Sequence, residues 1–151
     1  MKIIVTGGAG FIGSNIVDRY VAEGHDVVIV DNLATGKIKN INPKAQFENL
    51  DLRDFEKVAD LVAGFRPDVI NHHAAQISVP ASVSDPRFDA DVNIKGLLNL
   101  LEAAVHADVR KIIFISSGGA IYGETSEYPT SERCQPTPLS PYAITKYAAE
   151  H

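Results

Sequence analysis

Tyr142 and Lys146 stand four residues apart, a spacing that places a phenol and an ammonium on one face of a helix. A free tyrosine, with its pKa near ~10, is a poor base at neutral pH. A fixed cation beside it stabilises the phenolate, and a lowering of ~3 units corresponds to ~4 kcal/mol of differential stabilisation. The chemistry open to such a pair is removal of a hydroxyl proton. A Tyr-x-x-x-Lys spacing alone is common, and a solvent-facing pair is its usual explanation. Here it opens the helix that follows the fifth strand-like run, and this position favours function. Ser116 and Ser117 end that run, and a hydroxyl there can bond a reacting oxygen and relay its proton.

A second constellation lies at the other end of the chain. Gly7-Gly8-Ala9-Gly10-Phe11-Ile12-Gly13 satisfies both the GxGxxG and the GxxGxxG spacing, directly after a strand-like run and at the opening of a helix. The glycines permit a tight turn, close backbone approach to a pyrophosphate and close packing of helix on strand. The helix start adds free amides and the positive end of its dipole. Asp31 stands 18 residues beyond Gly13, at the end of the second strand. A carboxylate there accepts both ribose hydroxyls and repels a 2′-phosphate, so NAD is expected rather than NADP; no arginine follows until Arg53. Asp51-Leu52 lies just beyond the third strand, where the aspartate suits either the adenine amino group or a helix cap.

The elements that must position these groups alternate between short apolar runs and helical patterns, the signature of a parallel α/β sheet. Strands are expected at Lys2–Thr6, Asp26–Val30, Ala45–Leu50, Val69–Asn71 and Lys111–Ser117, the last as a run buried on both faces. Helices are expected from Phe11 to Glu23, from Asp54 to Gly64 and, as one long element, from Arg87 to Ala107. In that long helix Ile94, Leu97, Leu98, Leu101, Ala104 and Val105 recur at helical spacing. Residues 123–140 read as a loop punctuated by Pro129, Pro136 and Pro138. Ser140 suits an N-cap and Pro141 the first helical position of a helix running to His151. So short a helix is marginal alone and must rely on docking to the sheet. With no stop signal after it, the chain reads as a fragment, cut in the tyrosine helix.

The 151 residues carry 45% hydrophobic side chains, ordinary for a globular domain, and no apolar run approaches a membrane span. A net charge of −5 argues against nucleic acid as the main partner. The single Cys134 cannot form an internal disulfide, which fits a reducing cytoplasm, and no secretory signal opens the chain. Cys134 has no evident paired base. His72 and His73 alternate across a strand, so they are not expected to share a metal, and no metal site is expected.

In order and spacing, Thr6–Ser14, Asp31-Asn32-Leu33, Asp51-Leu52, Asn71-His72-His73-Ala74-Ala75, Asn93, Ser116–Gly123 and Tyr142-x-x-x-Lys146 resemble the extended short-chain dehydrogenases/reductases. The closest likeness is to UDP-glucose 4-epimerases and their UDP-hexose relatives. The resemblance covers the whole chain, as the N-terminal half of such an enzyme. It implies a Rossmann-type doubly wound sheet of order 3-2-1-4-5 with NAD across its carboxyl edge, residues 1–151 being an incomplete NAD-binding domain without its substrate-binding partner. It implies Ser117, Tyr142 and Lys146 as catalytic groups. The cofactor would be held by Gly7, Gly10, Phe11, Ile12, Gly13, Asp31, Asn32, Asp51, Leu52, Ala74, Ala75 and Asn93, together with Tyr142 and Lys146. Asn93 is expected to be architectural first, bonding backbone within the long helix.

The implied reaction is transient oxidation of a nucleotide-sugar at C4 followed by re-reduction on the other face, in a homodimer of the complete enzyme. Three departures bear on it. One more residue separates Ser117 from Tyr122 than in some relatives, leaving Ser116 as the alternative serine. Gly118-Gly119 stands where related dehydratases carry an Asp-Glu acid/base pair, which argues against dehydration. Ile77 stands where some epimerases carry a phosphate-binding lysine. A non-catalytic NAD-binding fragment, a uronic-acid epimerase or decarboxylase, and a nucleotide-sugar reductase remain the other readings.

Overall fold

A computed structural model describes residues 1–151, which form two compact units. The first comprises residues 1–75 and 96–115; the second comprises residues 76–95 and 116–151.

The first unit is built on five parallel strands: β1 (Lys2–Thr6), β2 (Asp26–Asp31), β3 (Gln46–Asn49), β4 (Val69–His72) and β5 (Lys111–Phe114). Their order is β3-β2-β1-β4-β5, the order the resemblance implies. The register pairs Ile3 with Val27 on one side and Val69 on the other, Val28 with Gln46, and Ile70 with Ile112. Successive side chains of β1 and β2 leave opposite faces of the sheet, which gives two cores. Ile4, Val28, Val30 and Ile70 pack with Val58 and Val62 of α2 (Phe55–Phe65) and with Leu100, Ala103 and Ala104 of α5 (Gly96–His106). Ile3, Val5, Val27 and Ile29 pack with Val17 of α1 (Phe11–Ala22). β-Branched residues buried on both faces are what a central parallel strand requires. β5 differs from expectation: it stops at Phe114, and Ile112, Ile113 and Phe114 are only half-buried because β5 is an edge of this sheet.

The second unit is helical: α3 (Val79–Ser84), α4 (Pro86–Ala90), a π-turn (Asp91–Lys95), α6 (Gly118–Ile121) and α7 (Pro141–Ala148). Within it α7 packs against α3, α4, α6 and the π-turn. The long helix expected over 87–107 is therefore three pieces, α4, the π-turn and α5. The widened turn falls where Asn93 is drawn inward by polar partners, a common cause of such insertions. Within α5 Leu97 and Leu100 are buried, while Leu98 and Val105, expected on the apolar stripe, are exposed. Ser140 caps α7 by accepting the Ala143 amide at 3.1 Å, with Pro141 in the first turn, as expected. The short helices α3 and α6 had no clear periodicity to announce them. No helix is long and apolar enough to cross a membrane.

Candidate functional site

In the first unit the glycine turn joins β1 to α1, at the carboxyl edge of the sheet. Gly7 has φ of +68°, and a Cβ there would lie 2.7 Å from the Ala74 amide nitrogen. A Cβ on Gly13 would lie 2.9 Å from the Gly7 carbonyl carbon and closer still to its oxygen. The backbone is thus packed against itself until only glycine fits, and Ala74 is brought directly against the turn. Gly10 occupies the N-cap of α1 and contributes no capping side chain. The first-turn amides of Phe11, Ile12 and Gly13 therefore have no partner inside the helix and suit an anionic oxygen from outside. The exposed Phe11 and Ile12 keep that approach open.

Asp31 ends β2 and is only 8% exposed. Its Oδ2 accepts the Ala9 amide at 3.0 Å and its Oδ1 the Leu33 amide at 2.8 Å. One carboxylate thereby ties the glycine turn to the end of β2, and each oxygen keeps a further lone pair for a hydroxyl. Asn32 donates from Nδ2 to Asp51 Oδ2 at 2.9 Å. Asp51 also accepts the Arg53 guanidinium at both oxygens, 2.9 and 2.8 Å, and the Arg53 amide at 3.0 Å. These four donors match the acceptor capacity of a carboxylate, and Arg53 chiefly holds Asp51 well below the usual carboxylate range. The capping role considered for Asp51 belongs instead to Asp54, which accepts the Lys57 amide at the start of α2. Leu52 packs on the core, and its carbonyl accepts from Asn99 Nδ2 at 2.9 Å. His72 is buried, with Nδ1 bonded to Thr6 Oγ1 at 2.7 Å and its ring stacked on Phe114.

In the second unit Tyr142 and Lys146 are both buried along α7, at 9% and 5% exposure. Burial pushes the Lys146 ammonium down to about 8, against the pull of Glu150 and Asp89. Ser117 precedes α6 without spending its hydroxyl on a cap, and lines an open cleft of about 510 Å³ with Tyr142, Ser140 and Gly119. Ser116, the alternative serine, donates its hydroxyl to Glu150 and is committed there. Ser117 and Tyr122 flank α6 as its N-cap and C-cap residues. Asn93 does not bond the backbone of its own helix as expected: Oδ1 accepts the Gln76 amide at 2.9 Å, and Nδ2 reaches the Gln76 carbonyl, Asp89 and Thr145. Asp89, Gln76 and Thr145 carry no signal of this cluster in the sequence, where Asp89 is one of several charged residues between Asp85 and Lys95.

Residues 3–151 match the profile described as the NAD dependent epimerase/dehydratase family. The chain belongs to that family. It is 50% identical over 149 residues to a putative UDP-glucose 4-epimerase of Methanocaldococcus jannaschii, covering 98% of this chain and 48% of the relative. It is 49% identical to a UDP-glucose 4-epimerase of Mycolicibacterium smegmatis, covering 99% of this chain and 49% of the relative. Among solved structures, the Thermotoga maritima UDP-glucose 4-epimerase with UDP-glucose superposes with a TM-score of 0.97 at 47% identity, covering 99% of this chain and 49% of that one. The Thermus thermophilus UDP-glucose 4-epimerase complexed with NAD gives 0.96 at 51% identity, covering 100% and 49%. The chain spans about half the length of these epimerases.

Proposed function

We propose that this family member is the NAD-binding part of a nucleotide-sugar 4-epimerase, acting on UDP-glucose and UDP-galactose. The observation that carries the reading is the pairing of Ser117 and Tyr142 on one cleft with Lys146 buried along the same helix. The identity to UDP-glucose 4-epimerases over nearly the whole chain supports it. The cradle fits a dinucleotide: a turn that admits no Cβ at Gly7 or Gly13, uncapped amides at Phe11 and Ile12, and a carboxylate at Asp31 with capacity left for a ribose. Gly10, Ala74 and Ala75 complete that cradle, with Asn32, Asp51 and Leu52 at the adenine end. Asp51 would exchange one of its present donors to meet a base.

When bound, NAD supplies an acceptor for the hydride from C4 of the sugar and returns it. The chain's residues supply the proton chemistry. Tyr142, as phenolate, takes the proton of the sugar 4-hydroxyl. Lys146 stabilises that phenolate and orients the nicotinamide ribose, and Ser117 bonds the same hydroxyl and relays its proton. A buried lysine is a stronger partner for a phenolate than a solvated one, because less water screens the pair. Gly118-Gly119 supplies no acid and no base, which disfavours dehydration within the same family.

The chain matches about half the length of these relatives, and we read residues 1–151 as the cofactor domain, which needs the substrate-binding part of the complete enzyme for turnover. A homodimer in the complete enzyme and a cytoplasmic setting, the latter consistent with the lone thiol of Cys134, complete the reading. Tyr142→Phe in the complete protein is expected to lower kcat at least ~10³-fold while NAD stays bound, as for loss of an essential general base. Interconversion of UDP-sugars followed by chromatography, with NAD counted by native mass spectrometry, checks both. Retained turnover in the Phe variant excludes this mechanism; a protein that holds no NAD excludes the cofactor.

A further inference from the structure

The second unit buries an acid that the chemistry above does not use. Asp89 on α4 has no exposed surface. Its Oδ1 accepts from Gln76 Nε2 at 2.7 Å and from Asn93 Nδ2 at 3.2 Å, and its Oδ2 accepts the Thr145 hydroxyl at 2.7 Å. Every partner is a donor, so the site is built around the ionised form. Amides and a hydroxyl satisfy its lone pairs but bring no counter-charge, and a buried carboxylate needs both.

The charged groups that could provide or compete for one are few. Of the elements packed on α7, α3 and α6 carry none, α4 carries Arg87 and Asp89, and the π-turn carries Asp91 and Lys95. Arg87, Asp91 and Lys95 are exposed, where water and salt screen them. On α7 the titratable groups are Tyr142, Lys146 and Tyr147, followed by Glu150 and His151. Lys146 is the buried cation, one residue beyond the Thr145 that Asp89 holds. Two acids attract it, Glu150 and Asp89. Glu150 is exposed and shared with the Ser116 hydroxyl, whereas Asp89 is fully buried and held by three hydrogen bonds.

We propose that Asp89 is a positioning residue for Lys146: its buried carboxylate is the fixed counter-charge that keeps the lysine protonated, and its bond to Thr145 sets the turn of α7 that carries it. The proposal rests on the reading of Tyr142 and Lys146 as the reacting pair, and it adds the source of the lysine's charge. A purely structural Asp89 would matter for stability and leave the titration of Lys146 alone.

The test is to follow the Lys146 side chain of the complete protein by NMR of ¹³C-labelled lysine, with and without NAD, the resonance being assigned by its loss in Lys146→Met. Asp89→Asn is expected to lower the Lys146 midpoint by about one pH unit or more, the size typical of losing a close opposite charge. The alkaline limb of the kcat profile should move down by the same amount. Thr145→Val removes the hydroxyl but keeps the charge, and should move the midpoint by less than about a third of that shift. An unmoved midpoint in Asp89→Asn overturns the proposal. If Asp89→Asn alone does not fold, Asp89→Asn/Lys146→Met decides. A fold regained in the double variant supports a charge pair, because the stranded cation is gone; failure in both backgrounds makes Asp89 a packing residue and overturns it. The outcome is separable from the epimerase reading, which stands or falls on Tyr142→Phe, whereas the titration needs no turnover.

Discussion

The two units of this chain hold their candidate functional groups by different means. In the first, the backbone does it: a glycine turn pressed against Ala74, an uncapped helix start, and an aspartate carried to the sheet edge by the register of β2. In the second, side chains do it. Gln76, Asp89, Asn93 and Thr145 form one cluster, with bonded pairs up to 56 residues apart, that ties down the turn of α7 carrying Lys146. The first construction fails when an atom is added to the main chain's surroundings. The second fails when a donor, an acceptor or a charge is taken away.

The sharpest way to break this contrast is to add one methyl group at two glycines of the first unit. Gly13→Ala places its Cβ against the Gly7 carbonyl, so the turn must open. The expected cost is about 3 kcal/mol in stability, with NAD affinity down on the order of 100-fold because the amides of α1 are displaced. Gly24→Ala is the converse case: its φ is +80°, where a side chain is strained, but it has open space around it, whereas Gly13 is helical. Its cost should be about 1 kcal/mol, with NAD affinity unchanged. Calorimetric titration with NAD and urea denaturation of both variants give the comparison. Equal effects at the two positions would show that the collision at Gly13 is relieved by small shifts and is not what excludes a side chain from the turn.

The same contrast explains how much was legible in the sequence. The strands, the glycine turn and Asp31 follow from local features (β-branched runs, glycine spacing and an acid at a strand end), and the strand order from the resemblance that those features carry. Tyr142 and Lys146 were legible through a short spacing and a clean helix start at Ser140-Pro141. Asp89 was not, because its meaning lies in partners brought together only by folding. Nor was the break at Asp91–Lys95 legible, since the apolar period of the long helix continues through it while the side chain of Asn93 overrides it. Ser117 and Ser116 were adjacent in sequence and separable only by partner: one lines the cleft, the other donates to Glu150.

A medium effect is expected in the second unit, where a charge has been desolvated. Lys146 titrates at about 8 in the folded protein, below the 10.5 of an exposed lysine. At pH 7 it is charged in both states, so folding carries the full cost of burying it. Between about 8 and 10.5 the folded chain has released its proton while the unfolded chain still holds one, so stability rises with pH through that window. Lys146→Met keeps the length and removes the charge. It should stabilise the fold at pH 7 by about 2 kcal/mol and lose that advantage by about pH 10.5, while eliminating turnover. Urea denaturation from pH 7 to pH 10.5 reads the difference. A variant less stable than the parent at pH 7 would mean that Glu150 and Asp89 more than offset the burial.

The smallest effect tests whether a side-chain construction in the first unit behaves like the one in the second. Asp51 and Arg53 form a two-bond ion pair at 2.9 and 2.8 Å, each side chain about a third exposed at 31% and 37%. Water reaches this pair, so its value is screened in a way that the buried Asp89 cluster is not. Arg53→Ala should cost no more than about 1 kcal/mol at pH 7. Asp51 is held below its usual range in the folded state. Its contribution is therefore present above the unfolded value near ~4 and drains away as pH falls further. The stability gap between the parent and Arg53→Ala should narrow between pH 4 and pH 2 in urea titrations. A gap that stays constant across that range would place the role of Arg53 in packing its stem rather than in holding Asp51, and would remove the one electrostatic latch at this edge of the sheet.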